Sequence, residues 1–181
     1  LFFMVCSLMH ISKELQKKVQ KDYFFIKGQL DIDCNYFIQK IKQGVEEKEN
    51  MSYRTNVKGK MTSWKFFNED QNFLKILRKF INYIDDNYTF PPYSVKDSWG
   101  FINLPGEKTN FHNHHEAIFS GVIYLNDCEQ PLLFNEINEK IDPKPGSFGL
   151  FSSWLYHGCN VNDTDNCKFG ISFNMNEQFP W

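Results

Sequence analysis

Residues 111–125 read FHNHHEAIFSGVIYL, a histidine-rich segment followed directly by a run of apolar, strand-forming residues. A fourth histidine, His157, ends a second apolar segment, residues 147–157. The whole chain has only five histidines, so most of its imidazoles lie beside two predicted strands. Imidazole is the commonest metal ligand in proteins. This arrangement indicates a metal site built on β-structure.

After Pro91-Pro92 the apolar pattern has a period of two and the segments are short. The predicted strands are residues 98–103, 110–114, 118–125, 132–135, 147–151, 156–161 and 168–174. Turn-forming residues such as Asn126-Asp127 and Pro143-Lys144-Pro145-Gly146 separate them. So many short strands without a helical pattern between them predict an antiparallel sandwich or barrel.

Before the two prolines the apolar period is helical. Asp33 and Asp70 are each placed to cap an amphipathic helix. The apolar faces of the two segments consist of Phe37, Ile38, Ile41 and Val45, and of Phe73, Leu77, Phe80, Ile81 and Ile84. Residues 53–67 between them read as a loop with a short extended piece. We therefore expect a helical support region at 1–92 packed on a β core at 93–181, within a single structural domain.

The composition excludes several classes of protein. A formal net charge of -2 gives no electrostatic reason for an obligatory nucleic-acid or membrane partner. The cysteines are five in number and contain no C-x-x-C pair, which argues against a disulfide framework or a cysteine-rich zinc site. We expect a protein of the reducing cytoplasm. The apolar segment Leu1–Met9 is too short to span a membrane and lacks a basic start, so we interpret it as a buried strand or helix start, with a truncated signal peptide as the alternative.

Alternate residues of an extended strand share a face, so His112 and His114 point the same way. Glu116 joins them if the strand continues or turns gently, whereas His115 faces away and is excluded. With His157 from a distant strand, such residues could form the 2-His-1-carboxylate triad of non-haem Fe(II) oxygenases. For the histidine segment alone, a surface cluster or a satisfied core histidine is the alternative. Whether His112 or Glu116 partners His114 stays open.

Four further blocks follow in order: residues 119–126, FSGVIYLN; 132–135, LLFN; 145–157, PGSFGLFSSWLYH; and 168–174, KFGISFN. With the H-x-H at His112 and His114, this order resembles the 2-oxoglutarate and Fe(II)-dependent dioxygenase superfamily. The chain looks most similar to the small 2OG-Fe(II) oxygenase family of bacteria and phages. That family's pattern runs H-x-H, S-G-V-x-Y-L, a block ending in S-W-L-x-H, and R-x-S-x-S-F-N. The resemblance is strongest from Trp99 to Asn174.

The resemblance implies a mainly β (α+β) fold: a double-stranded β-helix, jelly-roll or cupin-like, with N-terminal supporting α-helices. It implies Fe(II) at the mouth of the barrel, held by His112, His114 or Glu116, and His157, with 2-oxoglutarate as cosubstrate and O2 as oxidant. The aromatic residues, 17% of the chain, are typical of a small barrel packed with rings. We assign Trp64, Trp99 and Trp154 to the core.

The resemblance also assigns the cosubstrate-binding residues. Tyr124 lies where related prolyl hydroxylases place a tyrosine against 2-oxoglutarate, and its phenol can donate a hydrogen bond to a carboxylate. Lys168 stands where the family has an arginine that binds the distal carboxylate. This is a departure from the pattern, because lysine offers a point charge in place of a bidentate fork. Ser172, on the same strand face, could add a hydroxyl contact.

The activity implied is a dioxygenase that converts 2-oxoglutarate to succinate and CO2 while it hydroxylates a C–H bond of an unidentified substrate. That substrate is a protein side chain or a small molecule, and the sequence identifies neither it nor the oligomeric state. Two alternatives come from other classes: a cupin-like metal-binding protein, or a scaffold, without oxygenase activity. A zinc hydrolase is more distant, because the chain has no H-E-x-x-H motif.

Overall fold

A computed structural model describes residues 23–47 and 56–178. These ranges contain two α-helices and eleven β-strands, and the strands form two antiparallel sheets. The apolar segment Leu1–Met9, for which the sequence predicts a strand or helix start, lies outside the described residues. No helix in the described part of the chain has the length and apolar character needed to cross a membrane.

The larger sheet has six strands in the order β1-β9-β6-β11-β4-β3. Their bounds are β1 Phe25–Gln29, β3 Lys60–Met61, β4 Tyr93–Asn103, β6 Phe119–Tyr124, β9 Ser147–Ser152 and β11 Lys168–Glu177. The smaller sheet has five strands in the order β2-β5-β10-β7-β8. Their bounds are β2 Val57–Lys58, β5 Lys108–His112, β7 Leu132–Phe134, β8 Glu139–Ile141 and β10 His157–Cys159.

Each of the seven predicted strands is present, within a few residues of its predicted bounds. The structure adds strands that the period of two did not indicate: β8, and in the first 92 residues β1, β2 and β3. Strand β1 pairs with β9 along its whole length, from Phe25 opposite Phe151 to Gln29 opposite Ser147. The N-terminal part of the chain therefore contributes to the sheets as well as supporting them.

The two faces of the larger sheet differ because β11 alternates apolar and polar residues. Ile171 and Phe173 belong to one core cluster, which also contains the apolar faces of both helices. Lys168, Ser172 and Asn174 line the opposite side, a pocket between the two sheets. The helices therefore cover the outer face of the larger sheet and leave its inner face to the pocket.

Helices α1, Cys34–Glu46, and α2, Gln71–Asn87, begin as the sequence predicts. The Asp33 carboxylate accepts a hydrogen bond from the backbone N–H of Tyr36, and the Asp70 carboxylate accepts bonds from those of Asn72 and Phe73. Asp70 is buried and also accepts from the Tyr36 hydroxyl at 2.7 Å and from Lys40 Nζ at 2.6 Å. One carboxylate therefore caps α2 and joins it to α1.

Replacing Asp70 by alanine should lower the free energy of unfolding by roughly 2–4 kcal/mol, because it removes a helix cap and two hydrogen bonds between the helices. Burial raises the pKa of this carboxyl, but bonds from Lys40, Tyr36 and the Phe73 N–H bring it below its usual value near 3.8. The stabilisation is therefore complete above that pH and is lost as the pH falls below it. Urea denaturation at pH 7 measures this change. Asp33→Ala removes an exposed cap alone, and an equal decrease in its free energy of unfolding would contradict the prediction.

Candidate functional site

The two sheets enclose a pocket with about 50 Å3 of space for water-sized molecules. The larger sheet contributes Trp99, Val122 and Ser172 to its wall, and the smaller sheet contributes Leu132 and two of the histidines. Pockets between the sheets of a β-barrel are common ligand sites. All of the predicted site residues except Glu116 line this pocket.

Three histidines converge at one end of the pocket. The pairing of β5 with β10 sets His112 opposite His157, and His114 follows β5 with its backbone N–H bonded to the Ser153 carbonyl at 2.8 Å. The ring centroids lie 4.6 Å (112 to 157), 4.8 Å (112 to 114) and 5.3 Å (114 to 157) apart. One nitrogen from each ring lies within 4.8 Å of the others. The three side chains could hold a metal ion.

Two of the rings are oriented by the same local device. His112 Nδ1 donates a hydrogen bond to the carbonyl oxygen of Asn110 at 2.7 Å, and His157 Nδ1 donates one to that of Leu155 at 2.8 Å. A carbonyl can only accept, so in both rings the proton is on Nδ1 and Nε2 keeps its lone pair. This is the usual outer hydrogen bond of a metal-binding histidine.

The three imidazoles are neutral at pH 7. Burial lowers the pKa of each: that of His114 to about 4, that of His157 well below its usual range, and that of His112 below 6.5. The other imidazoles of the cluster lower the pKa of His114 and His157 further. A metal ion binds the neutral imidazole, so it would not have to displace protons here.

The structure does not bring Glu116 to the histidines. Strand β5 ends at His112, and the chain then turns, with the Ala117 N–H bonded to the His114 carbonyl at 3.0 Å. The turn directs Glu116 outward, where its exposed carboxylate pairs with Lys96 Nζ at 2.8 Å. The strand therefore does not continue gently beyond His112, and Glu116 does not align with His114 as the sequence allowed. His115 is exposed, in keeping with its exclusion.

Lys168 lies on the inner face of β11 with 1% of its surface exposed. Its Nζ donates hydrogen bonds to the Gln130 carbonyl at 3.1 Å and to Cys159 Sγ at 3.2 Å, and lies 5.6 Å from the centroid of the Tyr124 ring. In residues 23–47 and 56–178 no carboxylate pairs with it. A buried lysine without a counter-charge is costly, so an anionic ligand in the pocket would stabilise it.

The other two predicted cosubstrate residues also line the pocket. Tyr124 is buried, and burial, with the Cys159 and Cys128 thiols nearby, raises its pKa well above the usual value. Its phenol therefore keeps its proton and can donate. Ser172 is half-buried on the wall of the pocket, two residues from Asn174.

A polar row on the inner face of the larger sheet was not predicted. Ser120 Oγ donates to Asn174 Oδ1 at 2.7 Å, and Asn174 Nδ2 donates to Asp97 Oδ1 at 2.9 Å, across three adjacent strands. Burial raises the pKa of the Asp97 carboxyl. The available sequence signal was the spacing of two between Ser172 and Asn174, which puts both on one strand face. Their partners come from strands that are distant in sequence.

The tryptophans divide between core and surface. Trp99 is buried, but Trp64 has 40% of its surface exposed and is not a core residue. Its ring meets that of Trp99 edge-to-face at a centroid distance of 4.7 Å. Trp154 is half-buried. The residue type alone could not distinguish these positions, because Trp99 lies within strand β4 whereas Trp64 and Trp154 lie in turns.

In sequence, the chain matches no protein-family model and no curated protein. In structure, it is similar to the viral collagen prolyl hydroxylase of Paramecium bursaria Chlorella virus-1 in complex with 2-oxoglutarate, with a TM-score of 0.67, 16% identity, and coverage of 86% of this chain and 96% of that one. A prolyl-4-hydroxylase of Pseudomonas putida gives 0.66 and 12%, with 86% and 93% covered. HygX of Streptomyces hygroscopicus, with nickel and 2-oxoglutarate bound, gives 0.59 and 10%, with 94% and 89% covered.

These similarities span nearly the whole length of the proteins compared, but at identities that establish the fold alone. The predicted class, a mainly β chain with two facing antiparallel sheets and supporting helices, is confirmed. The chain has the double-stranded β-helix fold of the 2-oxoglutarate-dependent oxygenases.

Proposed function

We propose that this protein is a non-haem Fe(II)- and 2-oxoglutarate-dependent dioxygenase that hydroxylates a C–H bond of its substrate, with release of succinate and CO2. The observation that carries the proposal is the position of Lys168. A buried lysine without a carboxylate partner shares one pocket with three neutral histidines. The pocket thus offers a metal site and, apart from it, a positive charge that could bind an anion. A bifunctional acid such as 2-oxoglutarate could bind to both.

We assign the metal to His112, His114 and His157. Imidazole nitrogens suit Fe(II), and also zinc and nickel, so the donor set fits the iron that the fold implies without selecting it. Three neutral ligands leave the full charge of a divalent ion in the pocket, which favours an anionic chelating cosubstrate. In this proposal Glu116 has no part in binding the metal.

We assign the cosubstrate to Lys168, Tyr124 and Ser172. Lys168 would bind one carboxylate of 2-oxoglutarate as a point charge, and the Tyr124 phenol and the Ser172 hydroxyl would donate hydrogen bonds to it. The apolar wall, with Val122, Leu132 and Phe151 among its residues, would exclude water and strengthen these contacts. When bound, the metal and 2-oxoglutarate together would activate O2 and oxidise the substrate.

The proposal extends to the class of substrate, the cellular location and the domain organisation. We infer a protein side chain or a small molecule as substrate, since one fold serves many reactions. We propose a reducing, cytoplasmic location, to which the free thiols of Cys34, Cys128, Cys159 and Cys167 are suited. We also infer one structural domain, because a single apolar cluster joins the helices of residues 1–92 to strands of residues 93–181.

Reconstitution under argon tests the function. The purified chain should bind one Fe(II) and, with O2, release succinate from 2-oxoglutarate slowly in the absence of a substrate. Mass spectrometry of succinate and metal analysis measure both. Stoichiometric metal without 2-oxoglutarate binding would favour the metal-binding protein without oxygenase activity, and the absence of bound iron, manganese or cobalt would overturn the proposal.

A matched pair of variants tests the ligand set. His112→Ala should lower Mn(II) affinity at least a hundredfold, because it removes one of three ligands. Glu116→Ala should leave the affinity within twofold, since that carboxylate is exposed and paired with Lys96. Isothermal titration with Mn(II) decides between them, and the reverse order of effects would return the site to His114 and Glu116.

A further inference from the structure

The inner face of the larger sheet consists of parallel rows of side chains across β4, β11 and β6. Strand register sets Asn103 beside Lys168 at one end of the pocket, and Asp97 and Ser120 beside Asn174 at the other. Between them lie two rows, Phe101 with Gly170 and Tyr124, and Trp99 with Ser172 and Val122. The histidines belong to the Asn174 end, because the ring of His157 is 4.8 Å from that of Phe151, which pairs with Ser120.

The row of Trp99 therefore lies between Lys168 and the metal-binding end. A molecule that contacts both must pass over this row. 2-Oxoglutarate, held at one carboxylate by Lys168 and chelating at the other end, is such a molecule.

Trp99 has an unused hydrogen-bond donor. Its indole Nε1 is fully buried and has no hydrogen-bond partner. Among the described residues, no other pocket-lining side chain has a buried nitrogen or oxygen without such a partner. A buried N–H without an acceptor costs about 1–3 kcal/mol. Buried tryptophans usually find an acceptor for this group.

The ring is held in place from outside the pocket. Trp64 packs on it edge-to-face, and the backbone around Trp64 is fixed by the Ser98 N–H, which donates to the Trp64 carbonyl at 2.8 Å. Ser172 faces Trp99 directly across the strand pair. The donor is thus fixed in position before any ligand arrives, which lowers the entropy cost of binding.

We propose that Trp99 is a cosubstrate-binding residue whose indole N–H donates a hydrogen bond to a carboxylate oxygen of 2-oxoglutarate. The inference rests on the proposed function, and it adds a neutral donor between the lysine and the metal. A hydrogen bond to a charged acceptor contributes enough for removal of the donor to weaken 2-oxoglutarate binding roughly tenfold to a hundredfold. The apo protein should not be destabilised through this group, because it has no partner to lose there.

Indole N–H signals in a 15N-labelled protein test the inference without turnover. The chain has four tryptophans, and Trp99→Phe identifies the signal of interest. In the protein loaded with Zn(II), 2-oxoglutarate should move the Trp99 indole proton downfield and slow its exchange with D2O. Trp154→Phe, which alters a half-buried tryptophan that is not among the pocket-lining residues, is the matched control and should bind 2-oxoglutarate like the wild type.

The outcomes separate the two proposals. If the wild type binds 2-oxoglutarate but the Trp99 signal does not move and Trp99→Phe binds equally well, the role of Trp99 is overturned and the proposed function stands. If the metal-loaded wild type does not bind 2-oxoglutarate, the proposed function falls and this inference falls with it. Should Trp99→Phe fail to fold, phenylalanine variants of the other three tryptophans assign the Trp99 signal by elimination, and its movement in the wild type decides.

Discussion

His157→Ala is expected to abolish stoichiometric metal binding, and with it all release of succinate from 2-oxoglutarate. His157 is buried at the centre of the cluster, and its Nδ1 proton is bound to the Leu155 carbonyl. Its Nε2 therefore keeps the lone pair that would bind a metal together with His112 and His114, and the group of potential ligands contains no further described residue. Metal analysis after reconstitution with Fe(II) or Mn(II), together with the succinate assay, measures the result.

The fold should survive this change with a moderate loss of stability. The imidazole packs on the rings of Phe134 and Phe151, so its removal leaves a small cavity that costs about 2–4 kcal/mol. Circular dichroism should show an unchanged spectrum with a lower melting temperature. His115→Ala, in the same segment but exposed, is the matched control and should keep metal and stability. Full metal occupancy in folded His157→Ala would show that the three histidines are not the site.

Lys168→Met should separate stability from function, because the two respond in opposite directions. In the proposed function the buried lysine would bind a carboxylate of 2-oxoglutarate. Truncating such a charged partner costs about 2–5 kcal/mol, or roughly 30-fold to several thousandfold in 2-oxoglutarate affinity. The apo protein should become more stable by about 1–3 kcal/mol, because the cost of burying an ammonium group without a counter-charge exceeds the gain from the two hydrogen bonds that it donates to Gln130 and Cys159.

Calorimetric titration of the Zn(II)-loaded protein with 2-oxoglutarate and thermal unfolding of the apo protein measure the two effects. Lys168→Arg should keep or improve the affinity, since a guanidinium can bind a carboxylate through two hydrogen bonds. Lys96→Met removes an exposed lysine paired with Glu116 and should change neither quantity. Unaltered affinity in Lys168→Met would remove this lysine from the cosubstrate site.

The fold class was predictable because alternation of apolar and polar residues determines which face of a strand is buried. The caps at Asp33 and Asp70 were predictable for a similar reason, since a helix cap involves residues only two or three positions apart in sequence. Strand β1 was missed because its partner β9 lies more than a hundred residues away. Its own composition, FIKGQ, does not alternate cleanly.

Some features of the candidate site were likewise predictable from local geometry, and others were not. The spacing of His112 and His114, and the alternation of Lys168 and Ser172, follow from the geometry of an extended chain. The exclusion of Glu116 does not, because it depends on a turn after His114 and on Lys96 from another strand. Nor does the role inferred for Trp99, since an unpaired indole can be recognised only when every neighbouring acceptor is known.

By itself the sequence determined the period of each element, the caps of the helices and the residue types available for a metal and an anion. These properties depend on neighbours within a few positions along the chain. The tertiary structure decided which three side chains converge, that Lys168 is buried without a carboxylate partner, and that Trp99 lies between it and the histidines. Those properties depend on strand register between segments far apart in sequence, where a shift of one residue would turn each side chain to the opposite face.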